Sequence, residues 1–478
     1  MPSYSPTTAS FQFQHTLAPF MQAEGSPLAE VLTAADVAQA CADEQVAFGQ
    51  TSRSLWTPAL TLWAWLSQVL GADQSCRQAV ARVVVALALS REPDDLDTAA
   101  YCRARAKLPA ALLQRLTLQV GSRLEETAPP SWRWHGRRVH LVDGSTSTLP
   151  DTPENQEAFP QPASQKRGLG FPIVRWVVLM GLATAAVQGL AYGPYQGKQT
   201  GETALFRQLL GQLAAGDVVV ADRYYCSYFL TALLRTLGVD VVFRLHQRRK
   251  YDFRRGRRLG PDDHVVEWPR PARPKWMTEE EYAAVPATLT VREVRAPVQE
   301  PGCRVRELVL ATTLLDAAEY PKDDVTDLYH KRWHVELDIR TLKTTLRMDQ
   351  LRCLTPFMLE KEIWAHCLGY NLIRKAAAQA ALLAEKSPRE LSFKATLPVV
   401  RSGWQKLTET TGADYERLAK GLLRSLRRQR VGNRPGRCEP RAVKRRAKPH
   451  KQLQEPRVAA RAKLLRSKPG KKKARTTK

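Results

Sequence analysis

The sequence predicts an α/β protein in which a mixed core carries an inserted β subdomain and is flanked by a helical N-terminal region and a basic C-terminal region. Three observations lead to this fold class. Helical periodicity fills 45–127, and strand and helix patterns alternate over 137–245. Over 246–310 a basic, turn-rich and proline-rich stretch followed by strand patterns interrupts that alternation. We therefore expect five parts, with bounds at 1–130, 131–245, 246–310, 311–385 and 386–478.

The charge of the chain indicates a polyanionic partner. The 478 residues carry a formal net charge of +26, and the segment from Gly421 to Lys478 holds 22 Lys and Arg residues against Glu439 and Glu455. A basic balance of this size is typical of proteins that bind nucleic acid. A tail of this composition also suits a disordered, solubilising extension, and the sequence leaves both interpretations open.

Cysteine usage and hydropathy predict a cytoplasmic protein. The eight cysteines form neither a C-x-x-C motif nor a zinc-binding spacing, so we expect reduced thiols. The N-terminus has no basic segment followed by an apolar one. The most apolar stretches, 55–70 and 79–89, are interrupted by polar residues or are too short to cross a bilayer, so no membrane partner is expected.

The N-terminal part, 1–130, is expected to be a helical region that contacts DNA. Arg103, Arg105 and Lys107 form a basic cluster that could hold a DNA backbone, and a helical bundle with a basic surface explains them equally well. Prolines separate its periodic segments from one another. These predicted helices are 60–70, 76–89, 97–107 and 110–125.

From residue 137 the pattern changes to strands, and two of them end in an aspartate. The strand 138–142 is followed by Asp143, and the strand 218–221 is followed by Asp222. We expect 151–172 to be a long loop, because it is rich in Pro, Gln and Gly. The remaining predicted elements are a hairpin of 176–183 and 187–192, helices at 201–214 and 225–237, and strands at 239–245, 288–295 and 304–313.

The segment 327–347 is expected to form one amphipathic helix with an apolar stripe and a polar stripe beside it. The polar stripe contains a single carboxylate, Glu336. A solvated helix would mix its signs more evenly, whereas one acid among cations suits an acid that ligates a hard cation while the bases hold a polyanion. The polar stripe consists of Tyr329, Arg332, Glu336, Arg340, Lys343 and Arg347.

The C-terminal part is expected to be helical first and disordered afterwards. A helix at 359–381 should pack against the stripe-bearing helix, and 418–430 is a last, very basic helix. Beyond Val431 the chain is dominated by Arg, Lys, Pro and Gly, so we expect little fixed structure there.

Three carboxylates are candidates for a metal site. Asp143 and Asp222 end strands, and Glu336 lies on the helix that should cover the sheet. All three carboxylates could therefore lie close enough together to bind the same metal ions. Oxygen ligands select Mg²⁺ or Mn²⁺. Two ions roughly 4 Å apart would activate the attacking oxygen and stabilise the leaving oxygen of a phosphoryl transfer. Each aspartate also has a structural interpretation without a metal. Asp143-Gly144 is an ordinary turn dipeptide, and Asp222 could form an ion pair with Arg223 at the end of a strand.

The spacing Tyr329-x2-Arg332-x3-Glu336-x6-Lys343 resembles the Y-x2-R-x3-E-x6-K signature of the bacterial cut-and-paste transposases of the IS-four group. The segments LVDGST around Asp143 and VVADRYY around Asp222 are similar to those that carry the two aspartates of that family. The stretch RLHQRRKYDFRRGRRLGPDDHVVEWPRP is similar to the inserted region of the family. The resemblance covers residues 50–445, and all four signature positions match.

The resemblance implies a ribonuclease H-like fold with an Asp-Asp-Glu triad. Asp143, Asp222 and Glu336 would be the catalytic residues and the ligands of two Mg²⁺ ions, with Mn²⁺ as a substitute. The rest of the stripe would bind DNA. The protein would act on double-stranded DNA, at the transposon ends and at the target, as a homodimer in the synaptic complex, and would be nucleoid-associated in a bacterial cytoplasm. The implied DNA contacts on the stripe are Tyr329, Arg332, Lys343, Arg340 and Arg347.

Members of the family that is resembled cut DNA through a hairpin and pull one base from the stack. An aromatic side chain must hold that base, and such stacking contributes about 1–3 kcal/mol. Trp268 and Trp276 are the candidates in the insertion, although both also suit ordinary packing among prolines. The arginines that could follow the flanking phosphates, or form a solvated loop instead, are Arg254, Arg255, Arg257 and Arg258.

Three other functions are compatible with parts of this pattern. A transposase-derived DNA-binding protein would keep the basic surfaces without cutting, which the intact triad disfavours. A metal-dependent nuclease on the same fold would cleave without joining ends. An RNA-binding protein with an incidental carboxylate cluster would bind RNA tightly and show no cutting that depends on Mg²⁺.

Overall fold

The N-terminal region is helical, as the sequence predicts. Its helices begin at capping residues: the Thr57 side chain accepts from Leu60 N, and the Ser75 side chain accepts from Gln78 N. The helices are α1 (Phe13–Leu17), α2 (Ala34–Asp43), α3 (Pro58–Val69), α4 (Cys76–Leu87), α5 (Thr98–Lys107) and α6 (Ala110–Glu126). The computed structural model describes residues 11–22, 26–51, 54–88, 97–198, 200–297, 307–432 and 453–466.

Arg105 corrects one expectation about this region, because it is buried and does not face solvent. Its guanidinium lies 4.7 Å from the Trp65 ring centroid and donates to Gln68 Oε1 at 3.0 Å. Arg105 therefore stabilises the packing of α3 against α5. Arg103 and Lys107 are exposed on the same helix and stay available to a polyanion.

A mixed sheet forms the centre of the described chain. Its nine strands are β1 (Val139–Thr148), β2 (Ile173–Gly181), β3 (Val187–Pro194), β4 (Val218–Ala221), β5 (Asp240–Arg244), β6 (Arg257–Gly260), β7 (Asp263–Pro269), β8 (Thr288–Pro297) and β9 (Glu307–Thr312). They follow the order β3-β2-β1-β4-β5-β9-β8-β7-β6. The pairs β1–β4 and β4–β5 are parallel, and the other pairs are antiparallel.

Strand β1 is longer than the sequence predicts, and it corrects the position of one aspartate. We expected Asp143 at the end of the strand, but β1 continues through it to Thr148. The reason is tertiary pairing, because β2 forms an antiparallel ladder with β1 from His140 to Thr148 and overrides the turn preference of Asp-Gly. The strand 218–221 is confirmed, and Asp222 follows it directly.

Strands from the predicted insertion extend the core sheet. After β5 the chain forms β6, β7 and β8 and returns through β9, which pairs antiparallel with β5. Residues 298–306 of the predicted insertion lie outside the described residues. Short helices connect the strands, and one of them falls in the segment that we expected to be a loop. These helices are α7 (Pro153–Ala158), α8 (Glu202–Arg207), α9 (Tyr228–Thr236) and α10 (Glu279–Ala284).

The expected single helix over 327–347 is wrong in detail, because the helix is divided. A turn at 331–332 separates α11 (Lys322–His330) from α12 (Trp333–Arg340), and the π-helical segment Thr341–Thr345 follows. π-Helical turns are frequent at functional sites.

Helix α16 (Arg457–Arg466) also corrects the expectation of little fixed structure beyond Val431. The remaining helices are α13 (Pro356–Leu382), α14 (Phe393–Glu409) and α15 (Gly412–Leu426).

Asp338 fixes α12 against the C-terminal helices. It is buried and accepts hydrogen bonds from Arg374 (2.8 Å) and Tyr370 (3.1 Å) of α13 and from Arg389 (2.6 Å). Because Asp338 is two residues beyond Glu336, this network also determines where α12 presents its polar stripe. In the described part of the chain, no helix is both long and apolar enough to cross a membrane.

Candidate active site

Strand register places Asp143 beside Asp222. In the parallel pair β1–β4, Val139 is opposite Val218 and Leu141 is opposite Val220. The same register, continued by two residues, brings Asp143 level with Asp222. Because side chains alternate along a strand, both aspartates lie on the face of Leu141 and Val220, which belong to the same hydrophobic cluster as residues of α11 and α12.

Asp143 is half-buried within β1, and its carboxylate accepts a hydrogen bond from the adjacent backbone. Burial raises the pKa of Asp143 to about 6, the hydrogen bond from Gly144 N and the charge of Arg332 oppose that rise, and the charges of Asp222 and Glu202 add to it. The bond from Gly144 N to Asp143 Oδ1 is 2.8 Å long. Asp222 accepts from Tyr224 N at 2.7 Å in the turn after β4. The two carboxylates are therefore neighbours, and their combined negative charge favours the binding of a cation.

The guanidinium of Arg332 lies between Asp143 and Glu336. Its Nη2 donates to Glu336 Oε1 at 2.6 Å, and its Nη1 lies 3.8 Å from Asp143 Oδ2. Among the described residues, no group of three His, Cys, Asp or Glu side chains is arranged to hold a metal ion. The structure thus brings the two aspartates together and leaves Glu336 paired with Arg332. The carboxylate oxygens are the donors that Mg²⁺ and Mn²⁺ prefer, so the donor set fits such ions.

The other residues of the stripe take different positions. Tyr329 is buried, burial raises its pKa to about 12, and its ring centroid lies 6.0 Å from the Arg332 guanidinium. Lys343 Nζ donates to Ser145 Oγ at 3.1 Å, which ties the π-helical segment to β1 two residues beyond Asp143. Arg340 and Arg347 are exposed. Tyr329, Arg332 and Lys343 therefore surround the carboxylates, whereas Arg340 and Arg347 face solvent.

The two tryptophans of the predicted insertion have covered rings. Trp268 is 3% exposed, donates from Nε1 to Glu293 at 3.0 Å, and carries the Arg249 guanidinium 3.7 Å from its ring centroid. Trp276 is half-buried beneath Arg207 at 3.8 Å. An arginine therefore covers one face of each ring. The predicted phosphate contacts are all exposed: Arg254, Arg255, Arg257 and Arg258.

Glu202 is a carboxylate of this site that sequence reasoning missed. It lies in the first turn of α8, whose Leu205 and Phe206 pack on the opposite face of the sheet. Its side chain approaches Gly144 so closely that a Cβ there would lie 2.4 Å from the Glu202 Cδ. An acid in the first turn of a helix is an ordinary capping feature, so no spacing in the sequence distinguishes Glu202.

Tyr225 and Trp333 were also missed. The Tyr225 hydroxyl is buried close to Glu202, and burial raises its pKa well above the usual value, with the charges of Glu202, Asp143 and Asp222 adding to the rise. Trp333 is 57% exposed and follows Arg332 directly. An exposed tryptophan beside a candidate active site is a signal that only the structure provides, because helical periodicity does not give the degree of burial.

The family model described as the transposase DDE domain matches residues 134–372, which is half of the chain and includes both aspartates and Glu336. The chain belongs to the DDE transposase family, and its function is that of a transposase.

Among curated proteins, the chain is similar to the transposase InsG for insertion sequence element IS4 of Escherichia coli (strain K12). The two are 26% identical over 392 residues, which cover 81% of this chain and 85% of that protein, and this likeness supports the IS4 type that the signature predicts. The putative transposase InsZ of the same organism is 28% identical over 108 residues, which cover 22% of this chain and 35% of that protein.

Among solved structures, the chain is similar to the cryo-EM structure of a piggyBac transposase synaptic complex with hairpin DNA. It has a TM-score of 0.40 and 11% sequence identity, and the match covers 90% of this chain and 87% of that chain. A likeness of this degree supports no conclusion about this chain.

Proposed function

We propose that this transposase binds the inverted repeats at the ends of its element, cleaves them, and joins them to target DNA through phosphoryl transfer. The observation that carries the proposal is the pair Asp143 and Asp222, set side by side by the β1–β4 register and faced by Arg332 and Glu336. The strand order β3-β2-β1-β4-β5, with β1 parallel to β4, supports a ribonuclease H-like core. In that core, 246–310 is the insertion between its two halves.

Asp143, Asp222 and Glu336 would hold two Mg²⁺ ions. When bound, the ions supply activation of the attacking oxygen and stabilisation of the leaving oxygen. The protein's own contribution begins with Arg332, whose guanidinium forms a fork that suits phosphate. When a DNA strand end enters, Arg332 exchanges the Glu336 carboxylate for a phosphate, and Glu336 becomes free to ligate. DNA binding and completion of the carboxylate set are then one event.

Lys343 and Tyr329 position the same strand end. Lys343 Nζ is held 3.1 Å from the Oγ of Ser145, which lies two residues beyond Asp143 on β1, and it can contact the next phosphate. The buried Tyr329 supports the Arg332 guanidinium from one side. The exposed Arg340, Arg347 and insertion arginines extend the basic surface along flanking double-stranded DNA. Two copies of the chain in a synaptic homodimer would hold the two ends.

The direct test uses a labelled duplex that carries the terminal repeat of the element with its flanking DNA. With Mg²⁺, we expect a nick at the repeat boundary, a hairpin species after it, and strand-joining products when target DNA is added. Binding without cutting in Mg²⁺ and in Mn²⁺ would support a transposase-derived DNA-binding protein. Cleavage without joining would support a nuclease on the same fold.

Trp333 is expected to hold the extruded base of the hairpin pathway. It is 57% exposed beside Arg332, whereas the rings of Trp268 and Trp276 lie beneath arginines. Trp333→Ala should reduce hairpin formation by about 10-fold or more, since stacking on one base contributes about 1–3 kcal/mol. First-strand nicking should change less. The measurement is the rate of each step on a denaturing gel.

Phe357→Ala is the matched control for this variant, because Phe357 is an aromatic residue of similar exposure, at 62%, on the first turn of α13. It should leave both rates unchanged. An equal loss of nicking and hairpin formation in Trp333→Ala would assign Trp333 to general DNA binding. Restored hairpin formation on a substrate that lacks the extruded base would support the stacking role.

Glu202 is expected to strengthen cation binding through its negative charge beside the aspartate pair. Glu202→Gln should weaken Mn²⁺ binding by about 10-fold, a loss typical of residues that support metal ligands. Gly144→Ala should weaken it in the same direction, because its Cβ would displace the Glu202 side chain. The measurement is Mn²⁺ titration calorimetry on the protein without DNA, in which Glu336 is paired with Arg332 and the aspartate pair is the proposed cation site. Glu154→Gln, at an exposed position on α7, is the control, and equal affinities in all four proteins would contradict this role.

A further inference from the structure

Two cysteines face each other across the N-terminal helices, away from the carboxylates. Cys76 is the first residue of α4, and Cys102 lies in the middle of α5. Their sulfur atoms are 3.8 Å apart, with the Cys102 thiol donating toward Cys76. Cys102 is exposed and Cys76 is partly exposed, so reagents in solvent can reach both. A separation of this size leaves only a small movement to form a disulfide bond.

The surroundings of Cys76 favour a thiolate. Arg105 Nη1 and Gln68 Nε2 each lie 3.7 Å from the Cys76 sulfur, and the sulfur is at the N-terminal end of a twelve-residue helix. The hydrogen bond from Cys102 and the charge of Arg105 lower the pKa of Cys76 to about 6, against the opposing effect of burial. Glu362 is the acidic group that opposes this shift. The pair thus joins a nucleophilic sulfur to an accessible partner thiol.

Other described cysteines lack these features. Burial raises the pKa of Cys41, Cys226 and Cys367 to about 12 in each case. Cys353 is buried on the other side of Arg105, with its sulfur 3.7 Å from Arg105 Nη2, and burial raises its pKa as well. Cys76 and Cys102 line a cavity of about 390 Å³ that also contains Cys353 and His366. This cavity gives a small oxidant a path to Cys76.

We propose that Cys76 and Cys102 form a modification site at which hydrogen peroxide produces a reversible disulfide bond, with Cys76 as the attacking thiolate. The Cys76 sulfur attacks the peroxide, an S–O bond forms, and the O–O bond breaks to release hydroxide, which is protonated to water. Cys102 then attacks the sulfenic sulfur. An S–S bond forms, the S–O bond breaks, and the oxygen leaves as water with the Cys102 proton. Two thiols lose two electrons, and one peroxide becomes two waters.

The disulfide would join α4 to α5 beside Arg105, the residue that also contacts Cys353 at the start of the segment leading into α13. Reducing conditions in a cytoplasm keep Cys76 and Cys102 as thiols, as the sequence predicts for all cysteines. Exposure to peroxide converts the two thiols to the disulfide. The inference does not depend on the proposed DNA chemistry, because neither cysteine contacts the carboxylates or the polar stripe.

The test exposes the full chain to hydrogen peroxide, blocks the remaining thiols under denaturing conditions, and maps disulfide-linked peptides by mass spectrometry. We expect a mass loss of two hydrogens, one linked peptide pair containing Cys76 and Cys102, and complete reversal by dithiothreitol. Cys41, Cys226 and Cys367 should remain alkylatable and serve as internal controls. Cys76 and Cys102 that stay fully alkylatable, or a bond from either to another cysteine, would overturn the proposal.

A second variant separates the two steps. Cys102→Ser changes an exposed side chain and should preserve the fold, so that Cys76 is oxidised and stops at the sulfenic acid. Dimedone should then label Cys76 in this variant at several times the level seen in the unmodified protein. Cys438→Ser, at a position outside the described residues, is the control and should still form the bond. Absence of dimedone labelling in Cys102→Ser would show that Cys76 is not the attacking thiolate.

Discussion

Glu336→Gln is expected to abolish cleavage of the terminal repeat while leaving DNA binding largely intact. Glutamine keeps the length of the side chain and still accepts from Arg332, whose Nη2 donates to Glu336 Oε1 at 2.6 Å, so the helix should keep its place. What is lost is the charge of a proposed metal ligand. Loss of a group that only supports a ligand costs about 10–100-fold, so loss of a ligand should cost more than about 100-fold.

The measurement compares the cleavage rate and the binding of the same labelled duplex. Glu416→Gln is the matched control, since Glu416 forms an i,i+4 ion pair with Lys420 at 3.5 Å on the surface of α15, as Glu336 does with Arg332 on α12. That variant should cut at the normal rate. A Glu336→Gln protein that still cuts would remove Glu336 from the proposed triad, while Asp143 and Asp222 would remain neighbours by strand register.

Asp338→Ala is expected to lower the free energy of unfolding by about 3–5 kcal/mol, the usual cost of removing one partner from a buried ion pair. Asp338 accepts from Arg374, Arg389 and Tyr370, and Arg374 is itself buried. Without the carboxylate, a guanidinium remains buried without its counter-charge. Urea denaturation followed by circular dichroism measures the effect, with the midpoint and the slope fitted separately.

Asp327→Ala is the control for stability, because Asp327 is an exposed carboxylate on α11, next to the same site. Surface substitutions of this kind usually change stability by less than about 0.5 kcal/mol. A loss below about 1 kcal/mol in Asp338→Ala would mean that the three partners find other acceptors. The position of α12, and with it the position of Glu336, would then depend on apolar packing alone.

Local patterns in the sequence predict much of the fold. Helices α3 to α6 and strand β4 agree closely with their predicted bounds, because caps, prolines and apolar periodicity are local signals. The predicted bounds are wrong where contacts between residues far apart in the sequence determine the local structure. Pairing with β2 extends β1 beyond Asp143. In the π-helical segment, Lys343 forms a hydrogen bond with Ser145 of β1, a residue far from it in the sequence.

The candidate site was predictable as far as spacing and strand ends indicate it. Asp143, Asp222 and Glu336 were predicted from three separate segments, and strand register places the two aspartates side by side. The pairing of Arg332 with both Asp143 and Glu336 was not predictable, since one face of a helix does not reveal which groups on the sheet it meets. Glu202 was missed for a related reason, because it approaches from the opposite face of the sheet.

The two aspartates differ in how freely their backbones can shift. Asp143 lies within β1, opposite Val178 of β2, and the ladder continues on both sides of it. Asp222 comes after the last residue of β4, in a turn closed by the bond from Tyr225 N to Asp222 O at 3.2 Å. Asp143 is thus fixed by strand pairing, whereas Asp222 can shift with the turn that contains it. Any change in their separation during a reaction cycle, or to suit a larger ion, has to come from the turn that holds Asp222.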